Sequence, residues 1–338
     1  MRANVVVIFA TFFATHALAE APDLDSVIQL QSEAGESGQV VVAFQGEVVL
    51  DTVFGEARDG VAVEPDTLFY IGSIAKILTS AAVVCLADEG ALGLDDSLEK
   101  YLDGVPNAKQ GITIRMLLAH TSGLPANHND PTKVLDREEF LAWALSVDLQ
   151  SEPSEQWSYS NVGYGLLAAI IEEATGNPYQ DSIRRLVTRP ARMTNTWFLT
   201  DDFDRELAAV GSGASLKQYG LDGNAAEMEW TWLRAGAGGV FSTAQDLLRL
   251  HDAIDNGDVL TPVQLNLVTT PVLSKRYGLG WRLSDTGSGV HYHDGSFPGF
   301  NAEFMRLPQH DGVLIVLSNQ DDGARRVRIA ITAAFDEE

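Results

Sequence analysis

The stretch from Ile74 to Ala87 restricts the fold more than any other in this chain. Ile74, Ile77, Leu78, Ala81, Ala82, Cys85 and Leu86 recur at helical spacing, and Val83, Val84 and Ala87 fill much of the remaining circumference. A helix apolar nearly all round must be enclosed, so other parts of the chain have to wall it in on every side. With 338 residues, 45% of them hydrophobic, the chain has material for two domains or one large one. Two polar residues, Ser73 and Lys76, stand at the head of this helix. Three positions apart, they lie about 60° apart around the axis and share a face. A serine at a helix N-terminus meets unpaired N–H groups that can hold an oxyanion. Burial lowers an amine's pKa until it can take a proton. The bland account is equally simple. Ser-x-x-Lys arises by chance about once in a chain of this length, and Ser97-Leu98-Glu99-Lys100 is a second copy on a polar turn. Taken alone, Ser73 is as good an N-cap as a nucleophile.

The N-terminus reads as an address. Met1-Arg2-Ala3-Asn4 is basic, Val5–Ala14 is apolar, and Ala17-Leu18-Ala19 places small residues at −3 and −1. This predicts a secretory signal over residues 1–19, cleaved between Ala19 and Glu20, and a periplasmic or secreted product. The apolar run falls short of the ~18 residues of a membrane span. The formal net charge of −24 repels nucleic acid and anionic lipid, so neither is expected as a partner. Cys85, the single cysteine, lies on the apolar face of the helix and reads as a core thiol rather than a nucleophile.

Gln39–Phe44 and Glu47–Phe54, parted by Gln45-Gly46, predict a β-hairpin, and Thr67–Ile71 an extended run leading into Ser73. Helical patterns then dominate at Ile114–His120, Arg137–Ser146, Gly163–Thr175, Tyr179–Leu186 and Thr243–Asn256. Strand alternation returns at Tyr277–Leu283, Val290–His293, Ala302–Leu307 and Val313–Ser318, before a closing helix at Ala324–Phe335. Strands at both ends predict an α+β fold: an antiparallel-sheet domain from residues 20–90 and 271–338, with a mostly helical insertion at 91–270. A site belongs in the cleft between them.

Two further stretches carry chemistry. Tyr159 and Asn161 sit two apart in an extended segment and can face one cleft. A phenol beside a cationic lysine gives up its proton more easily and can act as a base or shuttle. Asn161 otherwise caps the following helix. His293 and Gly295 share a strand face, and the glycine lets a substrate backbone approach while the Ser296 N–H offers an oxyanion donor. His291-x-His293-Asp294 has the look of a metal pair, but no second cluster has ligand spacing and H-E-x-x-H is absent, so no metal or other cofactor is expected. His120 and His128 read as loop and capping residues, and Trp230 and Trp232 as packing. No G-x-S-x-G elbow occurs.

Ser73-Ile74-Ala75-Lys76, Tyr159-Ser160-Asn161 and His293-Asp294-Gly295 resemble, in order and spacing, the three motifs of serine β-lactamase and penicillin-binding-protein-type hydrolases. Class C β-lactamases, D-Ala-D-Ala carboxypeptidases and related esterases are the most similar in pattern. Leu117–Pro125 and Ala235–Thr243 also look like segments that flank the cleft in that family. The resemblance implies a β-lactamase/transpeptidase-like fold and a small-molecule or peptide acyl substrate. Ser73 would form the acyl-enzyme while Lys76 and Tyr159 exchange its proton. Asn161 would hydrogen-bond Lys76 and the substrate amide, and His293 and Gly295 would support binding. The N–H groups of Ser73 and Ser296 would form the oxyanion hole.

The third motif departs from the Lys-Thr-Gly usual in such β-lactamases. His293 replaces the lysine, as in some carboxypeptidases and many esterases. Asp294 facing the cleft would repel the carboxylate of a β-lactam; facing away, it carries no information. The expected activity is therefore esterase-like or carboxypeptidase-like, with a class C-like β-lactamase as the alternative. A non-catalytic relative that binds cell-wall peptides is a reading of another class; loss of the serine, lysine or tyrosine would mark it, and all three are present.

Overall fold

The computed structural model describes residues 23–336, apart from 131–132, 220, 275 and 285–287. The leader expected over residues 1–19 and its cleavage point lie outside the described residues. A six-stranded antiparallel sheet is built from β1 (Gly38–Phe44), β2 (Glu47–Phe54), β3 (Arg282–Leu283), β4 (His291–Phe297), β5 (Phe300–Leu307) and β6 (Gly312–Ser318). Its order is β2-β1-β6-β5-β4-β3. The first hairpin turns at Gln45 and Gly46, both with positive φ (54° and 75°), which suits the right-handed twist of the flanking strands.

Period-two alternation divides the sheet's side chains between two cores. Val40, Val42, Met305, Leu314 and Val316 face helices α1 (Leu24–Glu33) and α5 (Gly323–Asp336), meeting Leu24, Ile28, Val327 and Ile331. Val41, Ala43, Phe304, Val313 and Ile315 face the larger core. Covered on both faces, β1 and β6 carry unbroken apolar runs, Val40–Phe44 and Val313–Leu317.

The helix that constrained the sequence, α2 (Ala75–Asp88), lies in the larger core, with every side chain from Ala75 to Val84 buried. It is enclosed by α3 (Asn161–Thr175), by Tyr179–Ile183 and by the wide helical turn Arg184–Thr188, while α4 (Ala244–Asp255) packs on the sheet. Cys85 sits among these contacts, its Sγ donating to Val259 O at 3.3 Å, and burial pushes its thiol up to about 11. Among the described residues no helix is long and apolar enough to cross a membrane.

Several boundaries depart from the apolar pattern for local reasons. The strand expected over Tyr277–Leu283 is reduced to Arg282–Leu283. Gly280, at φ 82°, is wedged against α2, and a β-carbon there would lie 2.5 Å from that of Ser80. The Ile114 helix stops at Leu118, because His120 takes φ 59°. Helix α3 begins at Asn161, two residues early, since Ser160 Oγ caps the Gly163 N–H at 3.1 Å. The third motif lies within β4, which runs on to Phe297 rather than ending at His293.

Candidate active site

The chain reaches Ser73 through a short strand, Phe69–Tyr70, paired with Val240–Ser242, and the Ile71 N–H donates to Val240 O at 3.0 Å. This ties the Ala235–Thr243 segment to the serine. Gly72 then takes φ 52°. A β-carbon on Gly72 would sit 3.0 Å from Ser296 N, and one on Gly295 would sit 2.0 Å from Ile71 O and 3.2 Å from Ser73 N. These two glycines let β4 lie directly against the backbone of the Ser73 turn. Phe297 and Phe300 close the hairpin between β4 and β5, so Ser296 falls at a pair whose N–H points away from β5, toward that turn.

Ser73 Oγ stands between two groups. Lys76 Nζ donates to it at 3.0 Å and Tyr159 OH at 2.8 Å. Lys76 is wholly buried, and its other hydrogen bond goes to Ala237 O at 3.0 Å. No carboxylate among the described residues pairs with it; desolvation pulls its pKa well below the usual lysine value, and Arg282 nearby adds to the effect. Burial pushes the Tyr159 phenol up. Burial therefore favours the neutral form of both groups, where a cationic lysine beside an acidified phenol was expected.

Behind these groups runs a chain of hydrogen bonds that fixes two histidine tautomers. The Ser160 N–H donates to His120 Nδ1 at 3.1 Å, which leaves Nε2–H to donate to Tyr277 OH at 3.1 Å. Tyr277 OH then donates to His293 Nε2 at 3.1 Å, and His293 Nδ1–H donates to Asp294 O at 2.7 Å. Both rings are fully buried, and desolvation holds both below the usual histidine range, His293 at about 3. The second and third motifs are thereby joined through two neutral imidazoles and one phenol.

A cavity of 430 Å³ opens on Ser73, lined by Gly72, Asn161, Ser296 and Phe297 among others, and a second of 790 Å³ adjoins it past Asn127, Thr231 and Arg234. The family model for Beta-lactamase matches residues 24–337. The chain belongs to the β-lactamase family. Penicillin-binding protein 4* of Bacillus subtilis (strain 168) is 29% identical to it over 324 residues, covering 88% of this chain and 71% of that protein. The D-alanyl-D-alanine-carboxypeptidase/endopeptidase AmpH of Escherichia coli (strain K12) is 31% identical over 231 residues, covering 64% of this chain and 57% of its own. The crystal structure of D-amino acid amidase from Ochrobactrum anthropi SV3 superposes with a TM-score of 0.78 at 24% identity, covering 93% of this chain and 99% of that one. The chain is thus a β-lactamase-family serine hydrolase with the β-lactamase/transpeptidase-like α+β fold.

In this member of the β-lactamase family some expected contacts are replaced. Asn161 does not bond Lys76: its Nδ2 donates to Asn127 Oδ1 at 2.6 Å, its Oδ1 is buried without a partner, and Ala237 O holds the lysine instead. His293 stands behind Tyr159 rather than in the cavity wall. Asp294 points to the opposite face of β4 from His293, in an ion pair with Arg282 at 2.5 Å, and the Arg282 guanidinium lies 5.7 Å from the Tyr159 ring. His120, read from sequence as a loop residue, is the hub of the buried network, and His128 lines the cavity. Spacing carries no trace of His120's hydrogen-bond partners, Ser160 and Tyr277, which come from two distant segments. Trp230 packs on Gly239, and Trp232 is buried with Nε1 donating to Gly165 O at 3.2 Å.

Proposed function

We propose that this protein is an exported serine hydrolase that works through an acyl-Ser73 intermediate on an ester or amide, with an esterase-like or D-Ala-D-Ala carboxypeptidase-like substrate range. The observation that carries the reading is Ser73 Oγ held at 3.0 Å from a buried, depressed-pKa amine and 2.8 Å from a protonated phenol. Lys76 takes the Ser73 proton as the Oγ–carbon bond forms. The N–H groups of Ser73 and Ser296 hold the oxyanion, each worth ~3 kcal/mol in the transition state. Tyr159 gives its proton to the departing oxygen or nitrogen and is reprotonated from Lys76. Water then attacks the acyl-enzyme, its proton returning along the same path. Asn161 fits the acyl group in the cavity; Gly295, expected to let a substrate approach, is instead packed on the Ile71 carbonyl and lets β4 reach the Ser73 turn, with His293 supporting that strand from behind. The basic start, apolar run and Ala17-Leu18-Ala19 support export to the periplasm or beyond.

A second reading, acylation by β-lactams, gains support from one observation. Asp294 is paired with Arg282 and turned from the cavity, so the repulsion it would exert on a β-lactam carboxylate is largely neutralised. Intact-mass measurement after exposure to a penicillin and to a fluorophosphonate tests both readings. An adduct absent from Ser73→Ala is expected, and no acylation by any probe would sink the hydrolase reading. Turnover of short-chain nitrophenyl esters against D-Ala-D-Ala peptides then separates esterase from peptidase.

A further inference from the structure

Arg234 is a cation that the reaction at Ser73 leaves unused, in a chain with 47 acidic and 23 basic residues. It lines both cavities, at their junction. Its Nη1 donates to the Glu229 backbone carbonyl at 3.0 Å, its guanidinium lies 5.8 Å from the Phe297 ring, and it reaches the buried Tyr70 phenol. Among the described residues no carboxylate lies within ion-pair distance of it, although other arginines, such as Arg137, Arg184 and Arg185, are so paired. The acids near the second cavity do not serve it. Asp321 is taken up by the Ser215 and Gly299 N–H groups and the Ser215 hydroxyl, and the carboxylates of Glu229 and Asp322 form no ion pair with Arg234.

The cavities also have a side. Both include Ser296, and the first includes Gly72, Ser73 and Asn161, but neither is lined by Lys76 or Tyr159. In the proposed mechanism the leaving group takes its proton from Tyr159, so it departs on that side. The space in front of Arg234 therefore receives the acyl portion.

We propose that Arg234 is a specificity-determining residue that selects acyl groups bearing a carboxylate. This rests on the acyl-Ser73 reading. A planar guanidinium already held by a backbone carbonyl and a ring face loses little entropy in taking a carboxylate through paired N–H bonds. Lys133, on the rim of the second cavity, adds to the positive field there.

The test compares two nitrophenyl esters with the same leaving group and acyl chains of equal length, the hemisuccinate and the butyrate. The full-length protein is expected to favour the anionic ester in kcat/KM by about ten- to hundredfold, the scale of one charge-assisted hydrogen-bonded pair. That preference should shrink as salt rises, fall to near unity in Arg234→Gln and survive in part in Arg234→Lys. The salt series on the unmodified protein needs no variant, so a misfolded Arg234→Gln leaves the test intact. Equal turnover of both esters, or an unchanged ratio in Arg234→Gln, overturns the assignment while leaving the hydrolase reading standing. If neither ester is turned over and no probe acylates Ser73, both fall.

Discussion

Two segments of this chain share the pattern Ser-x-x-Lys, and the structure puts them in opposite surroundings. Ser73–Lys76 opens a helix buried on every side, and Lys76 has no exposed surface. Ser97–Lys100 is a single surface turn; the Lys100 side chain is 57% exposed and pairs with Asp96 at 2.7 Å. Burial pulls the first amine's pKa well down, while the hydrogen bond to Asp96 raises the second. The spacing is the same, yet only one lysine is desolvated, which favours its neutral, proton-accepting form. Enclosure, rather than the motif, separates them.

The comparison can be broken most directly at the two serines. Ser73→Ala should abolish adduct formation and lower kcat/KM by about 10⁴-fold or more, whereas Ser97→Ala should change neither; activity surviving in Ser73→Ala would remove the distinction. Lys76→Met should cost acylation about 10³-fold while the protein stays folded, because an apolar chain of similar length replaces a buried amine. The sign of its pH dependence follows from linkage. The unfolded chain keeps the Lys76 proton up to the ordinary lysine pKa of 10.5, and the folded chain releases it at lower pH, so stability rises with pH across that interval. The stability gained by Lys76→Met should thus be largest at low pH and vanish above about 10.5. Thermal melts at several pH values check this, and a strongly destabilised variant would make Lys76 a structural residue instead.

Tyr159→Phe should lower kcat/KM by about 10²-fold or more, with a larger loss for amides than for activated esters, whose leaving groups need no proton. Equal losses on both substrates would argue against the shuttle. His120→Ala removes one link between the second and third motifs, leaving a void in which the Ser160 N–H is unpaired and Tyr277 OH keeps only its bond to His293. A loss of about 2–5 kcal/mol in denaturant unfolding is expected. The smallest effect belongs to the surface copy: Lys100→Met should leave activity intact and shift stability by no more than about 1 kcal/mol.

Much of the site was legible in order along the chain. Ser73, Lys76 and Tyr159 meet as their motifs suggest, and the backbones of Ser73 and Ser296 approach each other because Gly72 and Gly295 permit it. The orientation of Asp294 was not legible, since it depends on Arg282 arriving from the neighbouring edge strand. Nor was the partner of Lys76: a backbone carbonyl, that of Ala237, carries no side-chain signature, and it took the place expected for Asn161. The Tyr277 segment misread as a full strand because its alternation is genuine, while the close approach of Gly280 to α2 is a tertiary fact.

By itself, then, the sequence determined that a helix apolar all round had to be enclosed, that strands from both ends of the chain would build an antiparallel sheet, and that the family's three motifs would come in a set order. Local periodicity and composition suffice for those, because they are properties of neighbouring residues. Tertiary structure alone decided which lysine is desolvated, where Asp294 points, how His120 and His293 are oriented, and that Arg234 faces a cavity with no carboxylate partner among the described residues. Each of these depends on desolvation or on a group brought from a distant segment, and neither is encoded at any single position.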